Sequence, residues 1–314
     1  MASKRPTVDD FINQSKIASE TDFSALIRQA ILLLKKEQKC EKSKRDSGRL
    51  AYLPASGKAT IIGDLHGDFE SLAYILKDSG FLRKAQKGED VHLIFLGDYG
   101  DRGIAQPEVY CLVLKLKEQF PTKVVLMRGN HEAPLDMLPI PHDLPAQLKE
   151  KYGEKAGAQL MVELHKLFNR LYNAVIIEER AVLIHGGAPS KAKSIRDLAY
   201  ANKKHPKETL LEEMLWSDPK EDLLGTEFSP RGAGRFFGLD FTDKLLKMLN
   251  VKVLIRGHES CPEGFKINHN SKVLTLFSTN KLPYSNNYAA YLQLNLTKNI
   301  TSTRQLERHI KQFK

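Results

Sequence analysis

Apolar residues are spaced differently on the two sides of residue 50. Between residues 21 and 37 they recur at helical spacing, which predicts an amphipathic helix with Thr21 or Asp22 as its N-cap. After residue 50 they form short runs rich in β-branched side chains, a pattern typical of buried strands. These runs predict strands at residues 59–62, 91–96, 124–127, 182–184, 251–255 and 273–277.

Helical patterns separate several of the predicted strands. They cover residues 69–77, residues 107–117 and a long stretch near residues 144–172. Strands that alternate with helices predict an α/β fold with an at least partly parallel sheet, whose strand ends carry loops available for function. A last apolar run at residues 291–296 predicts an edge or antiparallel strand.

Length and composition indicate a packed globular protein. The chain has 314 residues, of which 41% are hydrophobic and 27% charged, and this is ordinary globular usage. We find no internal repeat and no long low-complexity linker. We therefore expect a single domain overall, in which an N-terminal helical segment at residues 1–50 packs on a larger unit at residues 51–314.

Targeting signals and cysteines bear on the compartment. No apolar run approaches the roughly 20 residues that a membrane span needs, and residues 1–10 lack the apolar stretch of a signal peptide. Cys40, Cys111 and Cys261 are widely spaced and form no CxxC pair, which argues against a disulfide framework. We expect a cytoplasmic protein without a membrane partner.

The net charge of +10 favours anionic partners in general. Much of the excess lies in a basic stretch at residues 35–45, which follows the predicted helix and is most simply a solvated helix end and loop. We therefore consider nucleic acid an unlikely partner.

Five of the apolar runs are followed at once by a short polar cluster. The clusters are Gly63-Asp64-Leu65-His66-Gly67-Asp68, Gly97-Asp98-Tyr99-Gly100-Asp101-Arg102-Gly103, Arg128-Gly129-Asn130-His131-Glu132, His185-Gly186-Gly187 and Arg256-Gly257-His258-Glu259. Each places metal-ligating or charged side chains where a strand ends, and ligands of α/β sheets gather there. Oxygen and imidazole ligands without a thiolate suit manganese, iron or zinc, and the number of ligands supports two ions.

In motif order and spacing the chain resembles the phosphoprotein phosphatase family of the calcineurin-like metallophosphoesterase superfamily. The motifs GDxHG, GDxxDRG, GNHE, HGG and RGH run from Gly63 to His258, and the Trp216-Ser217-Asp218-Pro219 segment is also similar. The resemblance covers about residues 50–280. It implies an α/β fold with a central β-sandwich of mixed sheets flanked by helices, and makes residues 51–314 the catalytic domain.

The resemblance also implies a role for each matched residue. The expected ligands of two divalent ions, manganese in vitro or else iron or zinc, are Asp64, His66, Asp98, Asn130, His185 and His258, with Asp98 bridging the two. Arg102, Arg256 and Asn130 would bind the substrate phosphate, His131 would protonate the leaving group, and Asp101 would orient His131. A hydroxide that bridges the ions would attack the phosphate monoester of a phosphorylated serine or threonine.

Two departures limit what the resemblance implies. The family's tyrosine-bearing loop after the last core strand is replaced by a segment in which Tyr284 could substitute only with a shift in register, and the residues after Glu132 lack the usual continuation. Regulatory subunits therefore cannot be inferred.

Two other functions are open. A related metallophosphoesterase would act on dinucleoside polyphosphates or phosphodiesters, although GNHE together with the Trp216 segment favours protein substrates. A catalytically dead binding module would recognise phosphorylated partners or nucleic acid, but such a protein would be expected to lack a ligand or the acid, and none is missing here.

Overall fold

The structure, a computed structural model, describes residues 5–40 and 48–314. Among the described residues, the first seven α-helices are α1 (Val8–Lys16), α2 (Glu20–Cys40), α3 (Phe69–Ser79), α4 (Phe81–Gln86), α5 (Gln106–Gln119), α6 (Leu144–Tyr152) and α7 (Glu154–Phe168). Four more follow: α8 (Ile195–Ala199), α9 (Ala201–Lys204), α10 (Leu210–Trp216) and α11 (Leu239–Leu249).

Two large mixed sheets form the centre of the protein. One sheet has the order β14 (Ile310–Phe313), β13 (Ala289–Asn295), β2 (Lys58–Ile62), β3 (Val91–Phe95) and β4 (Val124–Leu126). The other has the order β1 (Leu50–Leu53), β5 (Ala174–Ile177), β6 (Ala181–Ile184), β10 (Val253–Arg256), β12 (Val273–Leu276) and β11 (Phe265–Asn268). A small sheet contains β7 (Asp218–Pro219), β9 (Arg235–Phe237) and β8 (Thr226–Phe228).

The alternation of side chains along the strands explains how the sheets pack. Along β5, Val175 and Ile177 join the core shared with the five-stranded sheet and helices α1 to α7. Ala174 and Ile176 lie in the second core, against helices α8 to α11. Because successive side chains point to opposite faces, a strand between two apolar layers is apolar throughout. The predicted α/β sandwich flanked by helices is confirmed.

The direction of the strands brings the polar clusters together. Strands β2, β3 and β4 are neighbouring and parallel, and so are β6, β10 and β12 in the other sheet. An isolated parallel bridge between Asp64 and Phe277 connects the two sheets at their carboxyl ends. The loops after five of these strands therefore meet at one edge of the sandwich.

All six predicted strand runs lie on strands, with bounds that differ by one or two residues. Two helix details differ. Helix α2 begins at Glu20 and is capped by Ser19, whose hydroxyl accepts a hydrogen bond from the Asp22 amide at 3.2 Å, rather than by Thr21 or Asp22. The long helical pattern is two helices, because Gly153 takes a φ of 85° between α6 and α7.

The C-terminal strand and the N-terminal segment can also be compared with their predictions from sequence. Strand β13 is antiparallel, as one alternative predicted, but it is internal because β14 pairs with its outer side. Phe23 and Ile27 of α2 are fully buried in the larger core. The domain boundary at residue 50 stays a prediction. Within residues 5–40 and 48–314, no helix combines the length and apolar character that a bilayer crossing requires.

Candidate active site

Four of the five polar loops line a pocket of about 300 Å3 at the carboxyl edge of the sandwich. Of the predicted site residues, His66, Asp98, Arg102, Asn130, His131 and His258 line it. Asp64 and His185 are fully buried beside it, in contact with His258 and Asn130 respectively.

The backbone of this region bends sharply after the strands. His66, Asp98, Asp101, Arg102 and His258 all have a positive φ, between 45° and 75°. Such left-handed conformations are rare for residues with a side chain, although Asp and His tolerate them better than most. Their concentration here is typical of functional sites, where the surrounding structure offsets the strain.

Asp64, His66 and Asp98 form the first group of candidate metal ligands. The His66 Nδ1 lies 3.1 Å from the Gly100 carbonyl oxygen, so Nδ1 carries the proton and Nε2 has a free lone pair. Nε2 lies 3.7 Å from Asp64 Oδ2 and 3.6 Å from Asp98 Oδ2. One imidazole nitrogen thus lies within 4 Å of a carboxylate oxygen of each aspartate.

Asp98, Asn130, His185 and His258 form the second group. The His185 Nδ1 donates to the Leu96 carbonyl oxygen at 3.0 Å, which leaves Nε2 3.4 Å from Asp98 Oδ2. The Asn130 Oδ1 lies 3.0 Å from both His185 Nε2 and His258 Nδ1. The hydrogen bond from His185 Nδ1 to the Leu96 carbonyl oxygen fixes the tautomer of His185, as is usual for imidazole ligands of metals.

The Asn130 amide tests whether these groups suit cations. With its oxygen inward and both imidazole nitrogens unprotonated, Asn130 meets only atoms that accept hydrogen bonds; reversed, its nitrogen would lie 2.9 Å from Asp98 Oδ2 and 3.0 Å from both imidazoles. Lone pairs that converge on one point repel one another unless a cation binds between them. The oxygen-inward arrangement therefore fits a metal ion, whereas the reversed one supplies the donor that a metal-free site needs.

Asp98 belongs to both clusters of close ligand atoms. One cluster contains His66, Asp98 and His131, and the other contains Asp98, His185 and His258; within each, the ligand atoms lie within 4.8 Å of one another. A shared carboxylate between two clusters is the arrangement that a two-metal centre requires. The structure thus places four of the six predicted ligands in these clusters, with Asp64 beside His66 and Asn130 in contact with His185 and His258.

Burial and charge set the protonation of the imidazoles. Burial holds the pKa of His258 well below its usual range, against the attraction of Asp218, so its ring is neutral and ready to ligate. Burial would also lower the pKa of His185, but the nearby Asp98 charge outweighs it and raises the pKa to about 9. A cation that binds there has to displace a proton, which makes its affinity depend on pH.

Glycines next to the ligands allow the loops to approach closely. A Cβ at Gly257 would lie 2.3 Å from Asp64 Oδ1, and one at Gly129 would lie 2.1 Å from Asp98 Oδ1. Real Cβ atoms do not approach so closely, so any other residue would displace a ligand carboxylate. This explains why glycine follows the strand in these motifs.

Glu132, the last residue of GNHE, ties two loops together. Its carboxylate accepts from the backbone amides of Asp98, Tyr99 and Gly129 at 2.8, 3.0 and 3.0 Å, and from the Tyr110 hydroxyl at 2.8 Å. With both oxygens occupied by donors, Glu132 is a structural residue rather than a ligand.

His131 and Asp101 form the predicted pair. The His131 Nδ1 lies 2.6 Å from Asp101 Oδ2, and the His131 backbone amide donates to Asp98 Oδ1 at 3.0 Å. Burial would raise the pKa of Asp101, but hydrogen bonds from His131 and His142 outweigh it and hold the pKa below its usual range. His142 has no signal in the sequence, because it lies in an irregular Pro-rich segment.

The arginines are arranged differently from the sequence prediction. Arg102 lines the pocket as expected. Arg256 is fully buried and does not line it; its guanidinium donates to the carboxylates of Asp218 and Glu259 at 2.8 and 2.9 Å and to the carbonyl oxygens of Gly186 and Ser217. Since protein acceptors occupy its donors, the expected phosphate contact of Arg256 has no support in the geometry.

Arg231, rather than Arg256, is the second arginine that lines the pocket. Its side chain is 36% exposed and lines the pocket, and its Nε donates to Asp218 Oδ2 at 2.6 Å. Because Nε points to Asp218, the terminal nitrogens remain available to a ligand. Asp218 of the Trp216 segment thus holds Arg231 and Arg256 on its two oxygens. The segment Ser229-Pro230-Arg231-Gly232, irregular in pattern, was overlooked in the sequence.

Two aromatic residues complete the rim. Tyr284 lines the pocket, with its ring centre 5.1 Å from that of His66 and 4.8 Å from that of Phe277. Trp216 lies edge-on to His258 at 5.7 Å. Despite its shifted register, Tyr284 therefore reaches the site.

Comparisons with known proteins identify the family of the chain. A family model described as calcineurin-like phosphoesterase matches residues 57–262, and the chain belongs to that family. It is 34% identical over 249 residues to a probable serine/threonine-protein phosphatase of Encephalitozoon cuniculi, with 78% of this chain and 52% of that protein covered. The chain thus spans about half the length of that relative.

Two solved structures share the fold. One is a protein serine/threonine phosphatase from Saccharomyces cerevisiae with similarity to human phosphatase PP5, at a TM-score of 0.75 and 22% identity, covering 97% of this chain and 95% of that one. The other is a cold-active protein-tyrosine phosphatase of a psychrophilic Shewanella species, at a TM-score of 0.53 and 19% identity, covering 79% of each chain. At these identities the likeness establishes the fold alone.

Proposed function

We propose that this protein is a metal-dependent protein serine/threonine phosphatase that hydrolyses phosphate monoesters. The observation that carries the proposal is that His66, Asp98, His185 and His258 fall into two clusters that share Asp98. Asp64 and Asn130 contact these clusters, and His131 pairs with Asp101 beside them. The sequence relative from Encephalitozoon cuniculi supports serine and threonine as the substrate residues, since it carries that description.

Asp64, His66 and Asp98 would hold one divalent ion, and Asp98, Asn130, His185 and His258 the other. When bound, such ions activate water as a nucleophile and neutralise phosphoryl charge. We propose manganese as the ion for assays in vitro, with iron and zinc as alternatives, because oxygen and imidazole ligands suit all three.

The remaining residues bind the substrate and the leaving group. Arg102 and Arg231 line the pocket, and we propose that they bind the phosphoryl oxygens, because a guanidinium can donate two parallel hydrogen bonds to them. Asn130 also faces the pocket and could contribute a further contact. His131 would donate a proton to the departing serine or threonine oxygen while Asp101 holds its imidazole.

The first experiment measures hydrolysis of p-nitrophenyl phosphate with manganese, before and after chelation. We expect activity that chelation abolishes and that added manganese restores. Activity that persists in a chelator would refute the metal site, and complete inactivity would favour a binding module.

The second experiment separates protein substrates from nucleotides. Phosphoserine, phosphothreonine and phosphotyrosine peptides of one sequence are compared with diadenosine tetraphosphate. We expect the serine and threonine peptides to be the best substrates, and cleavage of the nucleotide alone would support the alternative phosphoesterase function.

A third experiment tests His131. Replacement His131→Ala should lower turnover of phosphoserine, which has a poor leaving group, by about 10²–10⁴-fold. It should affect p-nitrophenyl phosphate much less, because nitrophenolate leaves without protonation. Equal losses on both substrates would contradict the role of His131 as the acid.

A further inference from the structure

The carboxylate of Asp101 is held by four donors, not only by His131. Its Oδ2 accepts from His131 Nδ1 at 2.6 Å and from His142 Nδ1 at 2.7 Å. Its Oδ1 accepts from the backbone amides of Asp143 and Leu144 at 3.0 and 2.9 Å. Two histidines thus share one oxygen of the residue proposed to orient the acid.

His142 belongs to a segment that holds the loop after β3 in place. While Asp101 caps the start of α6, the Asp143 carboxylate accepts from the Arg102 backbone amide at 3.0 Å and from Gln106 Nε2 at 3.1 Å. The two acidic residues therefore bind reciprocally across the two loops. The His142 side chain is only 15% exposed, so its contact with Asp101 is shielded from water.

The two backbone amides alone do not fix the direction of Asp101 Oδ2. The terminal torsion of an aspartate is broad, and hydrogen bonds to Oδ1 tolerate small shifts of the carboxylate that move Oδ2 relative to His131. A second donor on Oδ2, besides His131, restricts these shifts. The His142 Nδ1 is the donor that the structure provides there.

We propose that His142 is a positioning residue for leaving-group protonation, because it holds Asp101 Oδ2 in line with His131 Nδ1. This inference rests on the proposed function, in which His131 is the acid. His142 acts only through Asp101, so it affects the proton-transfer step more than phosphate binding. Its influence should therefore depend on the leaving group.

The test uses the full chain loaded with manganese and four variants. His142→Phe keeps a ring but removes the donor, and His142→Asn places an amide nitrogen near the position of Nδ1. His142→Gln is polar but places its nitrogen one bond further out. The matched control is His92→Phe, since His92 is a buried histidine 3.3 Å from Asp90 at the start of the strand that leads to Asp98 and Asp101.

For each variant, kcat and KM are measured on a phosphoserine peptide and on p-nitrophenyl phosphate. We expect His142→Phe and His142→Gln to lower kcat on phosphoserine about tenfold, as is common when a supporting hydrogen bond is removed. Their kcat on p-nitrophenyl phosphate should fall less than about twofold, and KM should hardly change. His142→Asn should retain most of the phosphoserine activity, and His92→Phe should leave the ratio of the two activities unchanged.

The outcomes separate positioning from a structural role. An equal loss on both substrates, or no loss in His142→Phe and His142→Gln, would overturn the proposal. If His142→Phe does not fold, the comparison of His142→Asn with His142→Gln decides, since equal activities on phosphoserine contradict a positioned donor. Failure of the proposed function looks different, because the parent protein would then hydrolyse no phosphoserine or would be insensitive to His131→Ala.

Discussion

Replacing the two arginines near Asp218 one at a time should separate catalysis from stability. Arg231 lines the pocket with a side chain that is 36% exposed, whereas Arg256 is fully buried. We expect Arg231→Ala to lose activity while it stays folded. We expect Arg256→Ala to lose stability before any specific effect on phosphate binding can be measured.

The magnitudes follow from what each guanidinium contacts. Arg256→Ala would remove a fully buried cation that lies 2.8 Å from Asp218 and 2.9 Å from Glu259. Breaking a buried ion pair in this way costs about 3–5 kcal/mol, a large part of a typical stability of about 5–15 kcal/mol. Arg231→Ala breaks a half-exposed pair worth about 1 kcal/mol or less. It also removes a charged donor aimed at developing phosphoryl charge, which should lower kcat about 10²–10³-fold.

The assay pairs phosphopeptide kinetics with urea unfolding followed by fluorescence. Arg235→Ala is the matched control, because its side chain is also 36% exposed and belongs to the same small sheet region but does not line the pocket. It should keep nearly full activity. The reasoning would be refuted if Arg256→Ala had normal stability but bound phosphate poorly while Arg231→Ala stayed active. Arg256 would then be the phosphate-binding residue, as the sequence predicted.

Four further expectations follow from the structure. Saturating the site with manganese at about 100 times Kd should raise the unfolding free energy by about 2.7 kcal/mol. Calorimetry should show no such stabilisation in Asp98→Asn, and an undiminished stabilisation would exclude Asp98 as a ligand. Gly257→Ala should weaken metal binding measured by titration, because its Cβ would lie 2.3 Å from a carboxylate oxygen of Asp64; unchanged affinity would contradict that contact. Burial would raise the pKa of Asp218, but nearby positive charges lower that pKa from 3.8 to about 2. The ionised Asp218 carboxylate therefore adds about 2 kcal/mol to the free energy of unfolding; this contribution is present above pH 3.8 and is lost as the pH falls towards 2. The difference in unfolding free energy between the parent and Asp218→Asn should therefore become smaller over that pH range. A difference that stays constant would contradict the lowered pKa of Asp218. Phe23→Ala should cost about 3–5 kcal/mol in urea unfolding, since that ring is fully buried under the N-terminal helix; a loss below about 1 kcal/mol would mean that α2 unfolds independently.

The fold and the ligand loops could be predicted because they depend on strong local patterns. A strand buried on both faces must be apolar throughout, so the runs before Asp64, Asp98 and Asn130 stood out in the sequence. Strand β5, equally apolar, was missed because the helical pattern near residues 144–172 was extended too close to it. Within that stretch, Gly153 was the available signal for the break between its two helices.

The second arginine and His142 could not be predicted, for a physical reason. Arg256 ends a strand next to a ligand loop, but alternate side chains of a strand point to opposite faces, so nearness in sequence did not mean a place in the pocket. Arg231 and His142 come from irregular loops, whose path depends on tertiary contacts such as those of Asp218 and Asp101. No periodic pattern reports such contacts.

The hydrogen bonds around the buried carboxylates distinguish the residues that bind metal from those that organise the site. Glu132 and Asp101 each accept from four donors, so their oxygens have little capacity left for a cation. Asp98 differs, because its Oδ1 accepts one backbone amide while its Oδ2 faces the Nε2 atoms of two imidazoles, which can give up a proton in exchange for a cation. A carboxylate oxygen directed at imidazole nitrogens needs a proton or a cation between them, whereas one surrounded by fixed donors is unfavourable for a cation. The same residue type, often in the same motif, can therefore be assigned to metal binding or to positioning by the partners that its oxygens face.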